Sequence, residues 1–113
     1  MKSIFYKMRK RLFRSSENNI NYKTMEKMLK DNSEIVVIDV RTRDEYKYNH
    51  LKKAVNVPLQ DICKEKVEQF VNNKSCIIIV YCEYGGRSKK AVSKLNKMGY
   101  ENVYNLDGGI QGI

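Results

Sequence analysis

The chain has no tryptophan and only one histidine, one proline and three cysteines among its 113 residues. The cysteines Cys63, Cys76 and Cys82 form no Cys-x-x-Cys pair, which disfavours both a disulfide framework and a structural zinc site. The longest apolar run, Ile77 to Cys82, is too short to cross a bilayer. These absences predict a single soluble domain with free thiols, no metal and a cytoplasmic location.

Acidic residues are also absent from the first fourteen positions, where lysines and arginines carry most of the formal net charge of +9. Basic residues interrupt the place where the apolar core of a secretory signal would lie. The sequence therefore divides into a basic N-terminal extension, 1–17, and a mildly basic folded domain, 18–113. Because the charge is concentrated in the extension, the domain is not expected to bind nucleic acid.

The extension has two interpretations. Ile4, Met8 and Leu12 share one face of a helix, with Phe5 beside them, and basic residues occupy most of the remaining surface. Such a pattern suits peripheral contact of residues 1–14 with an anionic membrane or with a partner. The alternative is a flexible, solvated arm.

Short β-branched runs alternate with helical patterns along the rest of the chain. The alternation predicts a parallel sheet that is covered by helices on both faces. The predicted strands are 20–22, 35–40, 54–57, 76–81 and 103–106. The predicted helices are 44–48, 60–72, 87–98 and one capped by Thr24. Cys63, on the apolar face of the 60–72 helix, and Cys76, near a strand start, are predicted to be small core residues.

One segment carries more chemistry than any other. The 76–81 strand leads into Cys82, and the loop and helix start that follow are Glu83, Tyr84, Gly85, Gly86, Arg87 and Ser88. The two glycines let the loop curl under the sulfur, so that loop amides and the helix N-terminus face one point. Helix N-termini and nearby cations lower the pKa of a thiol, and the thiolate is the nucleophilic form.

These residues and their surroundings resemble the single-domain rhodanese family. The first matching block is Val37-Ile38-Asp39-Val40-Arg41, followed by Glu45 and by His50 to Pro58; the second runs from Tyr81-Cys82 through Arg87-Ser88 to Gly108-Gly109-Ile110. The resemblance implies a rhodanese-like three-layer α/β/α fold with a five-stranded parallel sheet. It also implies a catalytic Cys82 that carries sulfane sulfur as a persulfide, an active-site loop from Cys82 to Arg87, and no cofactor.

The activity implied is that of a sulfurtransferase. Its donor would be thiosulfate or another persulfide, its acceptor would be cyanide in an assay or a thiol that a protein could carry, and the chain is expected to be a monomer. The alternative is a non-enzymatic rhodanese module that acts as a sulfur-relay carrier or as a docking domain. Phosphatases on the same fold use Cys-x5-Arg, whereas Cys82 and Arg87 enclose a shorter loop, which favours sulfur over phosphate.

The charged residues of the loop have alternative roles. Arg87 either adds positive potential at the entrance or clamps loop carbonyls. Glu83 and Tyr84 are expected to tune the choice of donor and acceptor, with Glu83 disfavouring thiosulfate relative to a thiol or protein donor. Lys89 and Lys90 either offset that negative charge or belong to a solvated helix face.

Asp39 and Arg41 are candidate accessory residues, because α/β sheets bind ligands at the carboxyl ends of their strands. Asp39 is expected mainly to accept hydrogen bonds there. Arg41 is four residues from Glu45 and could pair with it, and His50 is expected to be a buried hydrogen-bonding residue.

Two positions of the first matching block depart from the family pattern. Asn49 and Lys53 stand where the family often has glycine. We expect a looser turn there, with Asn49 tolerating left-handed backbone geometry.

Overall fold

A computed structural model of the protein describes residues 18–113. Five parallel strands form one sheet in the order β1-β5-β4-β2-β3. The strands are β1 (Asn19–Ile20), β2 (Val36–Asp39), β3 (Val55–Asn56), β4 (Ile77–Tyr81) and β5 (Asn102–Leu106). The helices are α1 (Tyr22–Asp31), α2 (Arg43–Tyr48), α3 (Lys64–Glu68) and α4 (Gly86–Lys97), and 3-10 turns occupy Leu59–Asp61 and Ile110–Gly112.

The sheet is covered on both faces because its central strand is apolar on both. In β4, Ile78 and Val80 pack on the side of α3 and α4. Ile79 and Tyr81 alternate with them and pack on the side of α1 and α2. The predicted three-layer α/β/α arrangement around a five-stranded parallel sheet is therefore confirmed.

The basic extension 1–17, and with it the membrane contact predicted for residues 1–14, lies outside the described residues and stays a prediction. None of the helices within 18–113 is long and apolar enough to cross a membrane.

Helix α1 starts earlier than the sequence predicts. Asn21 caps it, and the Asn21 side chain accepts a hydrogen bond of 2.8 Å from the Thr24 backbone N–H. Thr24 therefore supplies one of the free donors of the first turn instead of capping it. Helix α2 has a capping box in which Thr42 and Glu45 satisfy each other's backbone N–H groups.

The continuous helix predicted for 60–72 is wrong. Cys63 has extended backbone angles (φ −154°, ψ 169°), so no helix can pass through it. The chain forms a 3-10 turn before this point and the short α3 after it, and Ile62, Val67 and Val71 still reach the core. Cys63 is exposed at the N-cap of α3, contrary to its predicted core position, whereas Cys76 is half-buried and packs against the core.

The unusual backbone geometry expected at Asn49 occurs instead at Lys53. Asn49 is extended (φ −164°), and Lys53 has φ +69°. Left-handed geometry costs a lysine about 1–2 kcal/mol relative to glycine. The hydrogen bond from the Ala54 N–H to the Leu51 carbonyl (3.0 Å) closes the turn around Lys53.

Candidate active site

The candidate site lies at the carboxyl ends of the three central strands. Cys82 follows β4 directly, Asp39 is the last residue of β2, and Gly109 lies just after β5. These strands are neighbours in the sheet, so their ends meet at one edge. Parallel sheets form ligand sites at this edge because the connecting loops converge there.

The loop after Cys82 wraps around the sulfur. The backbone N–H groups of Gly85 and Ser88 donate to Cys82 Sγ at 3.1 and 3.3 Å, and Ser88 Oγ lies 3.4 Å from the same atom. Gly85 has φ +113°, a left-handed conformation that glycine adopts without strain, at the position where its N–H donates to the sulfur. The sulfur thus sits in a cradle of donors at the start of α4, while Cys82 is only 1% exposed.

The cradle sets the acidity of Cys82. Burial acts to raise the pKa of its thiol, but the Ser88 hydroxyl and the N–H groups of Ser88, Gly85 and Tyr84 outweigh that effect. The net result is a pKa below the ordinary value for cysteine. A larger thiolate fraction at neutral pH follows, and with it a stronger nucleophile.

The other two cysteines lack this environment. Cys63 is exposed on the surface. Cys76 lines a groove of about 1080 Å³ at the opposite edge, where β2, β4 and β5 begin. Burial and the neighbouring Glu34 raise the pKa of Cys76, which keeps it a thiol. Of the three cysteines, Cys82 is therefore the one whose surroundings favour the thiolate.

Arg87 and Glu45 form a two-point ion pair that joins α4 to α2. Arg87 Nη1 lies 2.8 Å from Glu45 Oε1, and Nη2 lies 3.0 Å from Oε2. This contact corrects two predictions: Arg41 does not pair with Glu45, and the Arg87 guanidinium points to Glu45 instead of clamping loop carbonyls. The planar fork of arginine binds both oxygens of the Glu45 carboxylate at once.

The ion pair gives the fold a specific dependence on pH. Arg87 lowers the pKa of Glu45 from 4.5 to about 2, aided by hydrogen bonds from Thr42 and opposed by partial burial. The carboxylate therefore stabilises the folded state fully above about pH 4.5, and that contribution is lost as pH falls toward 2.

In urea titrations, the stability difference between the wild type and Glu45→Gln should shrink as the pH falls from about 4.5 toward 2. The stability difference between the wild type and Arg87→Gln should shrink across the same range. If either stability difference were independent of pH, the assignment of the low pKa to this ion pair would be contradicted.

Arg41 is a buried cation with several carboxylate and carbonyl partners. It is 2% exposed, and its guanidinium bonds Asp39 Oδ2 (2.8 Å), Glu83 Oε1 (3.1 Å) and the Asn49 carbonyl. Burial acts to lower the pKa of Arg41, but Asp39 and Glu83 more than offset it. Asp39 thus accepts hydrogen bonds at the active edge, and Arg41 joins that edge to the loop through Glu83.

Glu83 is held from two sides. Arg41 binds one of its carboxylate oxygens, and the Gln111 side-chain amide donates to the other. The backbone is pinned as well, because the Ile110 N–H donates to the Cys82 carbonyl at 2.9 Å and the Gln111 N–H to the Glu83 carbonyl at 3.0 Å. The turn after β5 therefore fixes Cys82 and Glu83, the first two residues of the sulfur loop, which runs from Cys82 to Ser88.

The remaining candidates lie at the surface. Tyr84 is 73% exposed within the loop, Gly86 is exposed at the start of α4, and Lys89 and Lys90 are exposed on α4. His50 donates from Nδ1–H to the Tyr46 carbonyl at 2.8 Å, and its ring stacks on the Tyr46 ring. It is exposed, so its predicted burial is wrong although its hydrogen bonding is confirmed.

Two polar residues of the site were not predicted. Asn105, in the middle of β5, contacts the Ser88 hydroxyl, and Gln111 holds Glu83. An asparagine inside a buried strand was the available signal, because a buried amide needs partners. Among residues 18–113, no three His, Cys, Asp or Glu side chains cluster in a way that could hold a metal ion.

Comparisons with known proteins match this geometry to one family. A model of the rhodanese-like domain matches residues 21–113. The thiosulfate sulfurtransferase PspE of Escherichia coli is 38% identical over 76 residues, covering 67% of this chain and 71% of that protein. A solved structure described as rhodanese with anions from E. coli is 35% identical, with a TM-score of 0.63, and the match covers 70% of this chain and 91% of that one.

Similar domains also occur within larger proteins of other activity. A tRNA uridine(34) hydroxylase of Cytophaga hutchinsonii is 34% identical over 86 residues. That alignment covers 74% of this chain but 28% of the hydroxylase. The shared region is thus a domain, and the hydroxylase activity belongs to a protein several times as long as the match.

Proposed function

The chain belongs to the rhodanese-like domain family, and we propose that it is a sulfurtransferase that carries sulfane sulfur on Cys82 as a persulfide. The observation that carries this proposal is the ring of donors from Gly85 and Ser88 around Cys82 Sγ. A sulfurtransferase among the relatives supports it. In this proposal residues 18–113 are the sulfur-transfer domain, and 1–17 are an extension to it.

The proposed reaction is a double displacement. The Cys82 thiolate attacks the outer sulfur of thiosulfate; a new S–S bond forms, the old S–S bond breaks, and sulfite leaves with the bonding electron pair. The thiolate of an acceptor then attacks the terminal sulfur of the Cys82 persulfide. The acceptor leaves as a persulfide, or as thiocyanate when cyanide is used, and the Cys82 thiolate is restored.

The loop supplies electrostatic stabilisation. Negative charge rests on sulfur both in the free enzyme and in the persulfide, and backbone N–H groups at a helix start stabilise an anion there. Gly85 and Ser88 serve this role, while Arg87 adds positive potential that its pairing with Glu45 reduces. The pairing of Glu83 with Arg41 and Gln111 likewise reduces its repulsion of an anionic donor.

The chemistry fits a reducing compartment such as the cytoplasm, because the acceptor must be a thiol and all three cysteines are free. Small donors suit a sulfur that is 1% exposed. The second candidate is a sulfur-relay carrier that receives persulfide from a protein partner. It is favoured by Tyr84, which is exposed within the loop and could contact that partner.

Intact-mass spectrometry tests the proposal. The reduced protein is treated briefly with thiosulfate, or with a persulfide donor, and weighed. We expect a gain of one sulfur, about 32 Da, that a thiol removes and that Cys82→Ser lacks while Cys63→Ser retains it. Loading from the persulfide alone would identify the relay carrier. Loading from neither donor would overturn sulfur transfer and leave a docking module.

A further inference from the structure

A line of polar side chains leads from the sulfur through the core to the edge of the sheet. Ser88 Oγ lies 3.4 Å from Cys82 Sγ and also contacts Asn105 Oδ1. Asn105 Nδ2 in turn donates to Asn19 Oδ1 at 3.0 Å, on the edge strand β1. Ser88 and Asn105 are 0% and 1% exposed, so no water competes for their hydrogen bonds.

Ser88 has more acceptors around it than it can serve. Its hydroxyl carries one hydrogen, and three acceptors lie within reach: Cys82 Sγ, the Gly85 carbonyl at 3.1 Å and Asn105 Oδ1. Asn19 fixes which end of the Asn105 amide faces Ser88, because the Asn105 NH₂ group already donates to Asn19. Asn105 therefore presents an acceptor and competes with the sulfur for the single hydrogen.

We propose that Asn105 is a positioning residue that sets the direction of the Ser88 hydroxyl and thereby opposes the thiolate form of Cys82. When Cys82 is a thiol, its S–H donates to Ser88 Oγ and Ser88 donates to Asn105, while the Gly85 carbonyl accepts from the Lys89 N–H at 3.2 Å, so every group is satisfied. When Cys82 is a thiolate, the Ser88 hydrogen turns to the sulfur. Asn105 Oδ1 then loses its donor in a buried place, which costs free energy.

This inference rests on the proposed function in one respect: control of the Cys82 thiolate matters for sulfur transfer because the thiolate is the form that takes up sulfur. A balance of this kind keeps the thiol protonated for part of the time and limits unwanted oxidation. Two charged residues belong to the segment around the sulfur. Arg87 of α4 interacts electrostatically with Cys82 and is paired with Glu45, and Glu83, next to Cys82 in the chain, is paired with Arg41. The variants below leave all of these in place.

The test is the pH dependence of Cys82 alkylation by iodoacetamide. A Cys63→Ser/Cys76→Ser background removes the other thiols, and the midpoint of the rate profile gives the pKa of Cys82. The midpoint is used because thiolate reactivity itself changes with pKa. Asn105→Leu removes the competing acceptor at similar size, and we expect the midpoint to fall by about one unit, a tenfold rise in thiolate fraction at low pH. Asn105→Asp should raise it.

Two further variants separate positioning from simple disturbance of the core. In a Ser88→Ala background, Asn105→Leu should leave the midpoint where Ser88→Ala alone puts it, because the hydroxyl is gone. Asn19→Ala, at an exposed position, frees the Asn105 amide to rotate and should lower the midpoint in the same direction as Asn105→Leu, even if the latter folds poorly.

The inference is overturned if Asn105→Leu and Asn19→Ala leave the midpoint unchanged or raise it, or if the effect of Asn105→Leu persists without the Ser88 hydroxyl. Alkylation needs no sulfur donor. A protein that fails to load sulfur but shows these midpoint shifts would therefore refute the proposed function and support this inference. A protein that loads sulfur but shows no midpoint shift would support the proposed function and refute this inference.

Discussion

Replacing Cys82 with serine is expected to lower kcat/KM for sulfur transfer from thiosulfate to cyanide by about 1000-fold or more, because a covalent step loses its nucleophile. A serine hydroxyl is hardly ionised near neutral pH, and it cannot form a persulfide. The Cys82 side chain is buried and small, so the variant should still fold. Steady-state rates over a grid of both substrates measure the loss, and the wild type should give the parallel lines of a double displacement.

Cys63→Ser is the matched control for this experiment. Cys63 is exposed at the N-cap of α3, outside the loop that follows Cys82, and its loss should leave kcat/KM unchanged. Retention of turnover in Cys82→Ser would exclude the proposed mechanism. An equal loss in both variants would point to damage to the fold and would contradict the assignment of Cys82.

Replacing Gly109 with alanine should damage both stability and activity. Gly109 has φ +65° and ψ −163°, a region that only glycine occupies readily. A Cβ there would lie 2.5 Å from the Glu83 carbonyl carbon and 2.6 Å from the Cys82 carbonyl oxygen. We expect a loss of about 2–4 kcal/mol in the free energy of unfolding from strain and overpacking. A shift of the sulfur by about 1 Å should cost about 100-fold in kcat.

Gly112→Ala provides the control within the same turn. A Cβ at Gly112 would meet the Asp107 carbonyl oxygen at 3.6 Å, an ordinary contact, and the backbone there is not left-handed. Urea unfolding and turnover are measured on both variants. Equal losses of stability and turnover in Gly109→Ala and Gly112→Ala would contradict the prediction that the close approach of Gly109 to the loop matters.

The fold was largely predictable because the strands are buried on both faces. Uninterrupted β-branched runs such as 76–81 indicated central parallel strands, and the structure has β4 at Ile77–Tyr81. The segment 60–72 shows the limit of the same approach. Ile62, Val67 and Val71 can reach the core from one helix or from a turn and a short helix, so periodicity did not reveal the break at Cys63.

The site was predictable where its contacts are local. The loop from Cys82 to Ser88 forms its own cradle, and its residues are adjacent in sequence. The ion pairs that hold it are not local: Arg87–Glu45 and Arg41–Glu83 each join residues 42 positions apart. The rule for neighbours on one helix turn therefore led to the wrong partner for Glu45.

The position of β5 in the sheet has a consequence for protein synthesis. This strand lies between β1 and β4, and the Asn19–Asn105 contact spans 86 residues. At about 5–20 residues per second, a ribosome makes β1 several seconds before β5, the strand with which it pairs. A nascent chain that ends before Asn102 carries Cys82 but lacks Asn105 and the turn that pins Glu83. The surroundings of Cys82 are thus completed only after β5 and the turn that follows it have been made, and a chain that ends between Cys82 and Asn102 would carry the cysteine without the contacts that govern its reactivity.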